Sequence, residues 1–232
     1  MTSVLVVAAY PDAEVLGCGG TIARHADAGH QVQVLIAAEG ASSRLQKHDQ
    51  LQNNKELYAV AHSAQRARSI LGAAGVELLD LPDNRFDSLD RLDVIKRIEQ
   101  RIDQRQTQVV YLHHARDVNV VHRRLHKAVV TACRPTPVHP VKRLLSFEVA
   151  SSTEWQPPGS ASAFQPNWFV NICAQWQYKR KALETYASEM RPWPLSRSLK
   201  SVGNFSRWCG LHLGVERQDP CCLLRCLTCR PS

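Results

Sequence analysis

Residues 3–29 read SVLVVAAYPDAEVLGCGGTIARHADAG and contain the pattern of one strand, one loop and one helix. Residues 3–9 are apolar and rich in β-branched valine, which predicts a buried strand. Residues 16–28 carry apolar side chains at helical spacing and end before Gly29, a residue type that commonly terminates helices. The stretch therefore predicts a β-loop-α unit whose loop contains polar residues.

The same alternation recurs over the first two thirds of the chain. Further strands are predicted at 31–37, 76–81, 108–112 and 142–149, and helices at 55–71, 92–105 and 122–133. Strands that alternate with helices form parallel sheets through right-handed crossovers. We therefore predict an α/β fold with a Rossmann-like, doubly wound, mostly parallel sheet in three layers.

The last third of the chain has a different composition. Residues 151–166 are rich in Ser, Pro and Gly, which predicts an exposed loop that borders the site. A strand is predicted at 167–173, and helices at 175–189 and 196–211 are separated by Pro192 and Pro194. All five tryptophans fall in this third. They either fill the core, which we favour, or form an aromatic face that stacks on a sugar.

Length and composition favour one soluble domain. A chain of 232 residues is long enough for one core, so we assign a single domain to residues 1–232. No stretch approaches the roughly 20 apolar residues of a membrane span, and no secretory signal is recognisable, so we expect a cytoplasmic protein. The formal charge of +8 is spread along the chain, which argues against a nucleic acid partner.

The eight cysteines fall into two groups of four. The scattered group is typical of reduced, buried side chains. The other group lies in a cysteine-rich terminal segment, residues 213–232, of uncertain structure. Its Cys-x2-Cys pair suits half of a zinc site, and the alternatives are a thiol-rich end or a packed final strand. The members of this second group are Cys221, Cys222, Cys226 and Cys229.

The loop after the first predicted strand is a candidate site, because ligands of open α/β sheets bind outside the carboxyl ends of the strands. Gly17, Gly19 and Gly20 superficially suggest a dinucleotide loop. A dinucleotide fingerprint places its first glycine in the turn itself, whereas these glycines come at or after the start of the helix. NAD binding is therefore not expected.

Several motifs at strand ends together resemble the LmbE/PIG-L family of N-deacetylases. Residues 9–14, AYPDAE, are similar to the family's Ala-His-Pro-Asp-Asp-Glu, and residues 17–21, GCGGT, to the stretch that opens its first helix. The others are EG at 39–40, LPDNRFD at 81–87 and HHARDVNVVH at 113–122, in the family's order. The resemblance implies the LmbE-like fold and covers residues 3–150.

This resemblance implies zinc-dependent hydrolysis of the N-acetyl group of an amino sugar. In the family, zinc is held by the histidine and the second aspartate of the first motif and by the last histidine of the strand-four motif. Carried over to this chain, His122 keeps the third ligand and Asp12 keeps the general base. Tyr10 and Ala13 stand at the other two ligand positions, so two of the three ligands are replaced.

Two positions near His122 also depart from the pattern. Val121 replaces an aspartate that would orient the imidazole. Asn119 stands where some relatives place a histidine that stabilises the tetrahedral intermediate, and an amide can still donate one such hydrogen bond. The resemblance therefore assigns Asp12 and Asn119 to catalysis and His122 to the metal.

One imidazole alone holds zinc poorly, so we expect zinc to be weak or absent unless neighbouring side chains compensate. Without a metal-bound water, we expect Asp12 to cap the following helix. The candidates for compensation, each of which also fits a capping or cleft-lining role, are Glu14, Asp117, His113 and His114.

The substrate is predicted to contact Arg44, Arg85 and Glu14. A planar guanidinium suits the phosphate of a nucleotide-sugar, although both arginines also fit the role of solvated loop residues. The favoured interpretation is a divergent family member that keeps the sugar-type cleft and has lost efficient hydrolysis. The alternatives are an active N-deacetylase with a rewired metal site and a non-catalytic protein that binds a sugar or a nucleotide-sugar. The expected ligand is an N-acetylated amino sugar or its nucleotide or lipid conjugate, and a homo-oligomer is a possible assembly.

Overall fold

The structure, a computed structural model, describes residues 1–38, 40, 50–81, 90–136 and 138–227. Within these residues the chain alternates between strands and helices, as the sequence predicts. The strands are β1 (Ser3–Ala8), β2 (Gln31–Ala38), β3 (Gly75–Leu81), β4 (Val109–His113), β5 (Arg143–Phe147), β6 (Trp168–Asn171) and β7 (Gln218–Cys226). The helices are α1 (Ala13–Asp27), α2 (Gln50–Leu71), α3 (Arg91–Arg105), α4 (Val120–Ala132), α5 (Trp176–Glu184) and α6 (Leu199–Leu211).

The strands form one seven-stranded sheet in the order β3-β2-β1-β4-β5-β7-β6. Strands β1 to β5 pair in parallel, which confirms the predicted doubly wound, mostly parallel arrangement. Strand β7 runs antiparallel between β5 and β6. The last strand of the chain is thereby inserted beside β5, and it brings residues 218–220 to the edge where β5 ends.

Helices cover both faces of the sheet. One apolar cluster joins α1, α2, α5 and α6 to one face, and a second joins α3 and α4 to the other. Along the central strands the two clusters take alternate residues, as the pleat of a strand requires. Val4 and Val6 of β1 belong to the first cluster, and Leu5 and Val7 belong to the second. The predicted three-layer α/β architecture is therefore confirmed.

The glycines of α1 permit close packing of this helix against the sheet. A Cβ atom added at Gly17 would overlap the ring of Phe147, and one added at Gly20 would overlap Ile172. Helix α1 can lie this close to β5 and to the segment after β6 only because these positions lack side chains. The glycine-rich stretch thus fixes the helix that begins directly after the candidate site.

A buried ion pair joins three elements near this helix. Lys179 of α5 lies 2.6 Å from the Asp219 carboxylate of β7, and both side chains are almost fully buried. The other oxygen of Asp219 accepts hydrogen bonds from the backbone N–H and the hydroxyl of Thr21 in α1. Such buried charges are tolerated because each is paired and hydrogen bonded.

The cysteine-rich end of the chain contributes β7. Cys221 pairs with Phe147 of β5 and is fully buried, whereas Cys222 is half-buried and Cys226 is exposed. Successive strand residues point to opposite faces, so Cys221 and Cys222 do not face one common ion. The packed final strand is therefore the alternative that residues 221–226 adopt, and Cys229 lies outside the described residues.

None of the helices in the described part of the chain is both long enough and apolar enough to cross a membrane.

Candidate functional site

The candidate site lies where β1, β4 and β5 end. Tyr10 and Asp12 follow β1, Asp117 follows β4, and the segment 148–155 follows β5. Neighbouring parallel strands end at one edge of a sheet, and β4 pairs with both β1 and β5. The motifs that the sequence singled out are therefore brought to one cleft, as expected for an open α/β sheet.

A buried carboxylate orients the imidazole of His122. Oδ2 of Asp117 lies 3.1 Å from Nδ1 of His122, and both side chains are buried. Asp117 also accepts hydrogen bonds from the hydroxyls of Ser152 at 2.5 Å and Thr153 at 2.7 Å, and from the N–H of Asn119 at 2.8 Å. Although burial acts to raise the pKa of Asp117, the hydrogen bond and charge of His122 and the hydroxyls of Ser152 and Thr153 outweigh it and hold the pKa well below its usual range.

Asp117 therefore orients the imidazole of His122, the role that the family resemblance gives to an aspartate at position 121. Val121 itself is fully buried in the core on the α3–α4 face of the sheet. With Nδ1 directed to Asp117, the Nε2 atom of His122 is the nitrogen left to act on a ligand. The expectation that His122 lacks an orienting carboxylate is thus wrong, because the carboxylate of Asp117, five residues earlier on the loop before α4, supplies it.

His113 packs against His122 and is not directed towards a metal ion. Its ring stacks on His122 with a centroid separation of 3.9 Å, and its Nε2 accepts the backbone N–H of Ala9 at 2.8 Å. Burial lowers the pKa of His113 well below its ordinary value, and neighbouring His122 lowers it further. His113 is therefore a neutral, structural histidine. His114 is half-buried and lies 3.4 Å from the carbonyl oxygen of Ser162.

Asp12 does not cap α1 with its side chain, contrary to the sequence prediction. It occupies the N-cap position with φ 98° and ψ −33°, and its carboxylate makes no capping hydrogen bond. A side-chain cap requires the extended backbone of an ordinary N-cap residue. The carboxylate instead binds Nη1 of Arg197 at 2.9 Å, and Arg197 Nε donates to the hydroxyl of Ser151 at 2.9 Å.

Glu14 forms hydrogen bonds within the protein, and its predicted substrate-binding role stays a prediction. The side chain is buried, and its two oxygens accept hydrogen bonds from the Tyr186 hydroxyl at 2.7 Å and the Asp12 N–H at 3.0 Å. Burial raises the pKa of Glu14 to about 7 even though these hydrogen bonds act to lower it. Glu14 therefore holds the backbone of Asp12 in its unusual conformation.

Asn119 is the N-cap residue of α4. Its Oδ1 accepts hydrogen bonds from the N–H groups of Val121 at 2.8 Å and His122 at 3.3 Å. This contact fixes the start of the helix that carries His122. The Nδ2 group remains as the donor for the predicted catalytic role of Asn119, which stays a prediction.

The residues present do not match a zinc site. Tyr10 is partly exposed, with its ring centroid 5.9 Å from that of His122, and Ala13 is a buried residue without a donor atom. Across the part of the chain that the structure describes, no three His, Cys, Asp or Glu side chains are grouped so that they could hold a metal ion. The carboxylate of Asp12, the predicted base, is already paired with the guanidinium of Arg197.

Several functional contacts were not predicted from sequence, and two predicted residues cannot be placed. No sequence motif pointed to Arg197, Ser152 or Thr153. These residues lie far from Asp12 and Asp117 along the chain, and only folding brings them into contact. Arg44 and Arg85 lie outside the described residues.

Of the tryptophans, Trp176 packs in the core, as we favoured, whereas three are more than half exposed, so the expectation of a core role was wrong for them. These three are Trp155, Trp193 and Trp208.

Glu148 follows β5 directly and has an unusual environment. Burial, the largest cause, and nearby Glu154 together raise its pKa to about 8, although Lys179 acts in the opposite direction. An unfolded glutamate ionises near pH 4.5. Between these two values the folded state binds the extra proton, so stability falls as the pH rises through this window and then levels off above pH 8.

We therefore expect Glu148→Gln to remove a pH-dependent loss of stability. Relative to the variant, the wild type should lose about 1–3 kcal/mol of unfolding free energy between pH 5 and pH 8. Urea unfolding of both proteins at pH 5, 6.5 and 8 measures this difference, and contributions of other titrating groups cancel. A stability difference that does not change with pH would contradict the expectation.

A family model described as PIG-L, GlcNAc-PI de-N-acetylase, matches residues 5–133, which is more than half of the chain. No curated protein was found to match. Similar solved structures include GalB, the 4-carboxy-2-hydroxymuconate hydratase from Pseudomonas putida KT2440. It has 20% identity to this chain, a TM-score of 0.79 and coverage of 100% of both chains.

Two deacetylase structures are also similar. The N,N'-diacetylchitobiose deacetylase from Pyrococcus horikoshii has 16% identity and a TM-score of 0.75, with 97% of this chain and 84% of that chain covered. The zinc-inhibited form of the teicoplanin deacetylase Orf2 has 16% identity and a TM-score of 0.73, with 98% of this chain and 100% of that chain covered. At these identities the structural matches establish a shared fold.

Proposed function

Because the chain belongs to the PIG-L family, described as GlcNAc-PI de-N-acetylase, we propose that it keeps the family's ligand cleft without the zinc-dependent hydrolysis. The ligand is an N-acetylated amino sugar or its nucleotide or lipid conjugate. The proposal is carried by the pairing of Asp12 with Arg197 at 2.9 Å. The resemblance gives this carboxylate the role of base on a metal-bound water, whereas here a guanidinium neutralises it.

The donor set supports the same proposal. Tyr10 and Ala13 occupy two of the three ligand positions, so one imidazole remains. Zinc in proteins is usually held by at least three protein ligands, and a single neutral imidazole competes poorly with water. Arg197 also places a positive charge beside the Asp12 carboxylate, and this charge repels a zinc ion.

A second candidate function is favoured by the pair formed by Asp117 and His122. A carboxylate that orients an imidazole is an arrangement suited to general-base catalysis, with Nε2 taking a proton from water. The similar structures include a hydratase and deacetylases, so the fold alone does not choose the reaction. This candidate includes the N-deacetylase with a rewired site.

The test of the proposed function is zinc content measured together with acetate release. We expect wild-type protein, dialysed after zinc loading, to retain well below one zinc per chain and to release no acetate from N-acetylglucosamine or N,N'-diacetylchitobiose. His122→Ala and a serine variant of the four C-terminal cysteines serve as controls that assign any bound zinc. Stoichiometric zinc that is lost only in His122→Ala, together with acetate release, would establish the second candidate instead.

Ligand binding is tested separately on the same protein. We expect N-acetylglucosamine to give saturation-transfer NMR signals, and Tyr10→Ala to weaken them, because Tyr10 lies partly exposed beside His122 and can pack on a sugar ring. Tyr58→Ala is the matched control, since Tyr58 is 77% exposed on α2. Absence of binding to the folded wild type would remove the sugar from the proposal.

A further inference from the structure

A separate cavity lies beside the candidate site. It has a volume of 380 Å³ and is enclosed by α1, the segment after β5, α5, α6 and the start of β7. Two of its lining residues, Ala150 and Ser196, are the chain neighbours of Ser151 and Arg197. The cavity therefore adjoins the Arg197 contact with Asp12. Its volume is within the range of pockets that hold small molecules.

The charged groups of this cavity are mostly acidic. Three acidic residues and one basic residue line it, so it has an excess of two negative charges when all are ionised, in a chain whose formal charge is +8. The single basic group, Lys179, is already neutralised by Asp219 at 2.6 Å. The Asp219 oxygens are fully engaged by Lys179 and Thr21. Glu154 accepts hydrogen bonds from the backbone of residues 151 and 152.

One acceptor group on the cavity wall is left for a ligand. Glu148 is half-buried, and no hydrogen bond to its carboxyl occurs among the described residues. Gln218 also lines the cavity, but its Oε1 is fully buried and its Nε2 donates to the carbonyl oxygen of Cys209, so this amide is not open to a ligand. A partly buried carboxyl without a donor is costly, and a ligand that donates would satisfy it.

The rest of the wall is apolar or aromatic. Trp193 and Phe205 are about half exposed, and Leu16 and Val202 are buried beside them. The ammonium of Lys200 lies 4.7 Å from the centroid of the Trp193 ring, so the protein itself supplies the cation on that face of the ring. The wall as a whole matches a ligand with an apolar body and a positively charged donor.

We propose that this cavity binds a small molecule that carries a primary ammonium group on an apolar ring. The ammonium donates to the Glu148 carboxylate, and the ring lies between Trp193 and the apolar wall. Lys179 stays paired with Asp219. The proposal concerns a cavity beside the cleft and does not depend on the reaction that the cleft performs.

Binding of such a cation is coupled to the proton of Glu148. The raised pKa of Glu148, about 8, means that the carboxyl carries a proton at neutral pH in the free protein. An ammonium favours the ionised form, so binding releases this proton, and affinity increases with pH up to the pKa. The titratable and charged groups that surround Glu148 are Glu154 after β5, Lys179 on α5, Cys209 on α6, and Asp219 and Cys221 on β7.

Calorimetry with benzylamine and its neutral analogue benzyl alcohol tests the proposal. We expect benzylamine to bind the full-length wild type at least about tenfold more tightly than benzyl alcohol. Its affinity should increase up to about tenfold from pH 6 to pH 7, with a binding enthalpy that depends on the ionisation enthalpy of the buffer.

Glu148→Gln keeps the shape of the side chain and removes its charge. This variant should bind benzylamine at least about tenfold more weakly and release no proton, while thermal unfolding verifies that it is folded. Glu184→Gln is the matched control, because it removes an exposed carboxylate of α5 away from the cavity, and it should bind like the wild type. Equal affinity for amine and alcohol, no amine binding to the wild type, or unchanged binding in Glu148→Gln would each overturn the proposal.

Discussion

The double substitution Tyr10→His with Ala13→Asp is expected to give a protein that binds one zinc ion per chain. It supplies the two ligand types that the family resemblance predicts beside His122, whose imidazole is already oriented by Asp117 at 3.1 Å. Loss of one supporting contact at a metal site typically costs 10–100-fold in affinity, so two added ligands should increase zinc affinity by about 10²–10⁴-fold. Competition with a chromophoric chelator measures this change.

The two single substitutions and Val121→Asp are the controls for this prediction. Each single substitution should bind zinc far more weakly than the double variant. Adding Val121→Asp should not increase the affinity further, because Asp117 already orients His122. It should also destabilise the protein, since Val121 is fully buried among apolar side chains. A folded double variant that remains free of zinc would show that positions 10 and 13 are not ligand positions.

Asp117→Ala is expected to lower the unfolding free energy by about 3–5 kcal/mol, the range for a buried charge network that loses one partner. The substitution leaves the hydroxyls of Ser152 and Thr153 and the N–H of Asn119 without their acceptor. It also removes the contact that joins the segment after β5 to the loop before α4. Urea unfolding monitored by circular dichroism measures the loss.

Two further variants separate charge from general sensitivity to substitution. Asp117→Asn should lose less than Asp117→Ala, since one amide oxygen can still accept hydrogen bonds. Asp103→Ala, at an exposed position on α3, should change the unfolding free energy by no more than about 0.5 kcal/mol. A loss below about 1 kcal/mol in Asp117→Ala would indicate that other acceptors replace the carboxylate.

The identity of the site residues was predictable to the extent that motifs follow strands. Buried strands are recognisable in the sequence as apolar runs rich in β-branched residues. The polar residues after β1 and β4 lie close together because parallel strands end at one edge of the sheet. His122, Asp12 and Asn119 are accordingly brought to one cleft. Their partners were predicted less well, because a hydrogen-bond partner is chosen by distance in space rather than along the chain.

Two helices have ends that differ from those predicted from the sequence. The helix predicted at 175–189 ends at Glu184, because residues 185–189 form turns that direct Tyr186 towards Glu14. The helix predicted from residue 196 begins at Leu199, where the hydroxyl of Ser198 accepts the N–H of Ser201. Both differences lie at helix ends, where side-chain contacts with the remainder of the fold compete with local helical preference.

The sequence by itself determined the α/β alternation and the parallel first five strands, and it predicted Tyr10, Ala13 and His122 as the three ligand positions. These features depend on hydrophobic periodicity and on residue identity, which are local properties. Tertiary structure alone decided that Asp12 pairs with Arg197, 185 positions away. It also placed β7 beside β5, with Gln218 at its start in the wall of the acidic cavity. Such contacts arise only after folding, because packing of the core brings together side chains that no sequence pattern connects.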